Sequence, residues 1–227
     1  MVINLQEPYS LPITFLNRLK ECDCYFEREL FLENVREIPT VSRLIKDIND
    51  YCSENMVVGF HYTRAIPEDI LAQGLLVRSG EQIRAEFISR FGYLFSIEEI
   101  EAIKAAWARY FDIRMTRARD NRIFFNFTTD ALNNGGAKPL LRNFGGEQVY
   151  FCIDELPSIG EKIASIGQPL IVKCAISPND VQTYLEHPWG SIVTSAYHRT
   201  VNPDAHQTDQ DGWQAVPVSP EQIELVS

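Results

Sequence analysis

Short segments of strand character, separated by helical stretches of unequal length, constrain the fold of this chain most. In "VVGFHYT" (57–63), Val58, Phe60 and Tyr62 alternate with Val57, Gly59, His61 and Thr63. That period of two is the mark of a strand. "RIFFNFTT" (122–129), "EQVYFCID" (147–154) and "PLIVKCAIS" (169–177) carry further strand signals, each followed by polar or turn residues. A doubly wound parallel sheet would need an even alternation of strand and helix. The uneven spacing therefore predicts an α+β fold.

The helical signals are as definite. In "TVSRLIKDINDYC", residues Val41, Leu44, Ile45, Ile48, Tyr51 and Cys52 recur at helical spacing, and Thr40 after Pro39 is expected to cap the helix. "PITFLNRLKECDCYFERELFL" also reads as mostly helical. Residues 1–55 are thus expected to form a helical extension, and residues 56–227 the main domain. A helical insertion is expected at about 79–120. There Ser79 and Gln82, and then Ser96 and Glu99, have capping-box spacing. Ile83, Phe87 and Phe91 share one helix face, and Ile100, Ile103, Trp107 and Phe111 another.

With 45% hydrophobic and 11% aromatic residues among 227, the chain has material for a substantial core. Its net charge of −10 argues against indiscriminate adhesion to nucleic acid, though not against a local basic patch. The N-terminus lacks the pattern of a signal peptide and no apolar run is long enough to span a membrane, so a cytoplasmic protein without membrane contact is expected. Cys22, Cys24, Cys52, Cys152 and Cys174 form an odd, irregular set, read as free thiols; the Cys22/Cys24 pair lacks a second ligand pair, so no metal is expected.

Nucleophile-elbow, Walker, dinucleotide-fingerprint and zincin motifs are missing. What remains is an ordered arrangement. "FHYTR" ends a strand, and "IPEDILAQGL" follows as a short helix closed by Gly74; "RIFFNFTTDAL", "FGGEQVYFCID" and "GWQAVPVSPEQIELV" come later. In this order the sequence resembles the ADP-ribosyltransferase superfamily, with the rifamycin-modifying branch most similar in its motifs. His61 and Thr63 match the first strand of that family. Ile66, Ile70, Gly74 and Leu75 match the helix after it, and Phe124, Phe125, Thr128, Thr129 and Ala131 match the second strand and the helix start.

The resemblance implies a split β-sandwich, with NAD as co-substrate held by His61, Tyr62, Thr63, Phe124, Phe125 and Thr128. It implies transfer of ADP-ribose through a cation-like ribose transition state, which needs the ribose held by its hydroxyls and a carboxylate or amide near the developing charge. His61 can donate to a ribose hydroxyl while neutral. Phe124 stands where the family usually has a tyrosine; stacking survives the exchange and a hydroxyl contact does not. The family's late-strand glutamate aligns with Gln214 here, so the catalytic set is His61 with either Gln214 or Glu147, the latter expected at a strand start after two glycines.

Arg114, Arg117, Arg119 and Arg122 cluster in an otherwise acidic chain, near Tyr110 and Phe111. They are read as substrate-binding, toward phosphates of RNA, single-stranded DNA or NAD, or else as a solvated helix end. The combined expectation is a toxin or phage-defence effector that modifies a nucleic acid or a protein, with an antitoxin protein as a candidate partner. The alternatives are a catalytically inert nucleotide- or partner-binding module on the same fold, and an RNA phosphotransferase relative.

Overall fold

A computed structural model describes residues 1–153 and 156–226, with all their side chains but those at 113 and 117. It is a mixed α+β fold, as the uneven spacing of strand signals predicts. The strands are β1 (Val2–Ile3), β2 (Met56–Ala65), β3 (Ile123–Asn126), β4 (Gln168–Ile176), β5 (Val181–Gln182), β6 (Asp211–Gln214) and β7 (Ile223–Val226). They join in an open, largely antiparallel sheet of seven strands in the order β5-β6-β3-β2-β4-β7, with β1 paired parallel to β2.

The chain divides into two compact units that interleave in sequence. Met1–Phe60, Phe124–Asp130 and Cys174–Gln214 form one; His61–Ile123, Ala131–Lys173 and Ala215–Ser227 form the other.

The first unit is built on two helices, Pro39–Ser53 and Pro188–Val201. Val41, Leu44, Ile45, Ile48 and Cys52 are buried, as their spacing requires. Thr40 does not cap the first of these helices: Ile38 occupies the cap with no side-chain bond, and Pro39 stands in the first turn. Proline there is already set at the helical φ and lacks the amide that a cap would serve, so the helix begins before Thr40. The second helix is buried from Trp189 to His198. Its start is capped from the first: Asn49 Oδ1 accepts from the amides of Trp189 at 3.1 Å and Gly190 at 3.4 Å. His198 is fully buried, with Nε2 at 3.0 Å from the Phe26 carbonyl and 2.9 Å from that of Glu29. Carbonyls only accept, so Nε2 carries the proton and this histidine ties the helix to the N-terminal segment.

The second unit packs the inserted helices Gly80–Phe91 and Ile97–Tyr110 around Phe87, Ile103, Trp107, Val149 and Ile163. Both capping boxes form as the spacing predicts: Ser79 with Gln82 and Ser96 with Glu99. The short helix Pro67–Gln73 ends at Gly74, whose amide donates to the Ile70 carbonyl. No helix among the described residues is long and apolar enough to cross a membrane.

Gly190 marks the closest approach of the two main helices in the first unit. A Cβ there would stand 2.0 Å from the Ile45 carbonyl oxygen and 3.0 Å from the Asn49 amide nitrogen, both rigid backbone atoms. Gly190→Ala must force the helices apart and weaken the Asn49 cap. We expect a loss of about 2–3 kcal/mol, in the range of severe overpacking, seen as a lower urea midpoint at unchanged slope.

Candidate functional site

Strand β2 changes character along its length. Val57 to Phe60 are buried on both faces, and from His61 the strand alternates: Tyr62 is buried, while His61 and Thr63 are half-buried. The two residues singled out by the family resemblance thus share the more open face of the strand's second half. Beyond them Arg64 acts as a clamp. Its Nε donates to the Ile166 carbonyl at 2.7 Å and its terminal nitrogen to that of Gly167 at 3.0 Å. Its own carbonyl accepts from the Gly145 amide at 3.4 Å, within a parallel bridge between Arg64 and Phe144. The chain end of β2 therefore receives the Gly145–Gly146–Glu147 segment directly.

That segment corrects the sequence expectation. Residues 147–150 form a helical turn, Glu147–Tyr150, and not a strand. Gly145 and Gly146 have φ of 81° and 65°, a left-handed path that turns the chain just before Glu147. Gln148, Val149 and Tyr150 are then buried in succession within the turn. Trp107 Nε1 donates to the Val149 carbonyl at 2.9 Å, so the inserted helices take the partners that a sheet neighbour would have supplied.

Glu147 opens this turn half-exposed, and its Oε2 accepts from Arg119 Nε at 2.8 Å. The Arg119 guanidinium also lies over the Phe151 ring, 5.2 Å from its centroid. Gln148 next to it is held on both ends of its amide. Its nitrogen donates to Asp120 Oδ1 at 3.1 Å and its oxygen accepts from Arg84 at 2.8 Å. Asp120 Oδ1 also accepts from the Gly80 amide at 3.0 Å. Arg84 stacks over Phe111 at 4.4 Å, and burial pushes its pKa down, with Asp120 opposing that shift. Arg84, Asp120 and Gln148 carried no signal in the sequence, because their partners stand 28 and 64 residues away.

The arginine cluster separates into individuals. Arg119 belongs to Glu147. Arg114 is exposed, and Arg122 donates to the Ala118 carbonyl at 3.0 Å. The side chain of Arg117 lies outside the described residues. A pocket of about 260 Å3 in the same unit is lined by Arg142, Asn143, Tyr150 and Glu161 among others, and by none of the residues expected at the site. Among the described residues no group of three His, Cys, Asp or Glu gathers to hold a metal ion.

The remaining expected residues lie in the first unit. On β3, Phe124 is 38% exposed and Phe125 is buried against Gly59. Thr128 is buried and its hydroxyl engages Asp209. Thr129 donates through its amide and its hydroxyl to Gln6 Oε1, each at 3.0 Å. Gln214 ends β6, is buried, and pairs with Val181.

Burial pushes the Asp209 carboxyl above the usual aspartate range, against the opposing hydrogen bonds from Thr128 and the Gln210 amide. The folded state then binds this proton more tightly than the unfolded chain. Its contribution to stability is present at low pH and is lost as pH rises through the folded value. Asp209→Asn should remove that contribution while keeping the acceptor oxygen. Denaturant curves at stepped pH should show the variant gaining on the wild type as pH rises from the acid range to neutrality; a constant difference would contradict the assignment.

Comparison with known protein families, curated proteins and solved structures finds no match to this chain.

Proposed function

We propose that this chain is an NAD-dependent ADP-ribosyltransferase, with His61 and Thr63 holding the nicotinamide-side ribose and Glu147 as the carboxylate beside it. The observation that supports this reading most is the bridge between Arg64 and Phe144 with its Gly145 amide bond. It brings the glutamate-bearing turn to the end of the strand that carries His61 and Thr63 on its open face. Glu147 suits the role better than Gln214, because it is charged and half-exposed, whereas Gln214 is a buried amide. The split β-sandwich of the family and a cytoplasmic setting belong to the same reading.

The chemistry asked of these residues is limited. The bond between nicotinamide and the ribose anomeric carbon breaks, and its electron pair leaves with the nicotinamide, which departs neutral. The anomeric carbon then bonds to an acceptor nucleophile, which loses its proton. Glu147 offsets the positive charge that develops on the ribose, and His61 with Thr63 fixes the sugar by its hydroxyls. The exposed Arg114 suits an acceptor that carries phosphates, RNA or single-stranded DNA, more than an acidic protein. A toxin or phage-defence effector restrained by an antitoxin protein fits such an activity.

The test is nicotinamide release from NAD by purified wild type and variants. His61→Ala should slow release by about 10²-fold, the loss of one transition-state contact of about 3 kcal/mol. Glu147→Gln should cost at least as much, and Gln214→Ala much less. Folded variants at both His61 and Glu147 with wild-type rates would contradict the roles given to these residues, and a wild type that releases no nicotinamide would favour an inert nucleotide-binding module instead.

A further inference from the structure

The arginine cluster invites a role in binding phosphates, yet Arg119 is committed elsewhere. Its Nε–Oε2 bond to Glu147 is 2.8 Å, and its side chain is only 20% exposed. The guanidinium is held from two further directions. One terminal nitrogen lies 3.8 Å from the Met115 sulfur, and the central carbon lies over the Phe151 ring. Glu147 and Phe151 are four residues apart and flank the helical turn, so one guanidinium grips both ends of it. The next residue, Asp120, holds the next residue of the turn, Gln148. Two consecutive residues at the end of the short helix Ile113–Arg119 thus bind two consecutive residues of the turn.

Only Oε2 of Glu147 is taken: among the described residues no hydrogen bond reaches Oε1. A carboxylate fixed through one oxygen keeps the other for a second donor, such as a ribose hydroxyl.

We propose that Arg119 is a positioning residue that orients the Glu147 carboxylate toward the ribose, and that it does not bind acceptor phosphates. The inference rests on the reading of Glu147 given above. An arginine suits the task because its planar fork fixes direction while its cation lies over the Phe151 ring; a lysine supplies the charge without that geometry. Positioning by the helical insertion also gives that insertion a function: it holds the turn that follows the two glycines.

Steady-state nicotinamide release from NAD tests this with wild type, Arg119→Ala, Arg119→Lys, Glu147→Gln and the Arg119→Ala/Glu147→Gln double variant. Arg119→Ala should lower kcat by about 10- to 100-fold, as for a misplaced catalytic group, with KM for NAD changed less than about threefold. Arg119→Lys should recover part of that loss. Added guanidinium ion, far below denaturing concentrations, should restore rate to Arg119→Ala. In the Glu147→Gln background the second substitution should cost nothing further, since both act through one carboxylate. Losses that multiply in the double variant, or a rise in KM at unchanged kcat, overturn the inference while leaving the enzyme assignment standing. A wild type that releases no nicotinamide overturns the assignment and the inference together.

Discussion

The second unit depends on Arg64. A guanidinium at the end of β2 donates to two successive carbonyls, at Ile166 and Gly167, just before β4 begins. The backbone of the same residue accepts the Gly145 amide. One side chain and one peptide group thereby tie together a strand end, the entry to a second strand and the glycine turn. Charge-assisted bonds to carbonyls are among the stronger hydrogen bonds, and a half-buried arginine with a planar fork is well suited to bridging two of them. This clamp and bridge bring the segment that leads to Glu147 to the end of the strand that carries His61 and Thr63.

Around that clamp the polar groups are used in pairs. Glu147 answers Arg119, Gln148 answers Arg84 and Asp120, and Asp120 answers the Gly80 amide. Part-buried polar side chains that bond one another fix a geometry more than they add stability. In the first unit the polar contacts serve packing: Asn49 caps one helix from another, and His198 pins the N-terminal segment through two carbonyls.

Much of this was legible in the sequence where the signal was local. Both capping boxes, the periodic helix of Val41 to Cys52 and the strands around Gly59, Phe125 and Val172 follow from spacing alone. Misreadings arose where a distant or backbone factor decided. "EQVYF" has the apolar run of a strand, but two left-handed glycines turn the chain before it and Trp107 takes its carbonyl. Thr40 has the chemistry of a cap, but Pro39 starts the helix ahead of it. β1, two residues long, carries no period to detect. The partners of Arg64 and Arg119 lie 102 and 28 residues away, so no local pattern could pair them. His61 and Thr63 were legible as sharing a strand face; what brings a carboxylate to that strand was not.

The central claim is that the open face of β2 and the Glu147 turn serve transfer of ADP-ribose from NAD. Intact-mass and nucleotide mass spectrometry after incubating the protein with NAD and a mixture of cellular protein, RNA and DNA tests it most directly. The account predicts free nicotinamide and an acceptor, RNA or single-stranded DNA foremost, heavier by one ADP-ribose unit. Intact NAD with no modified species in any fraction would contradict it.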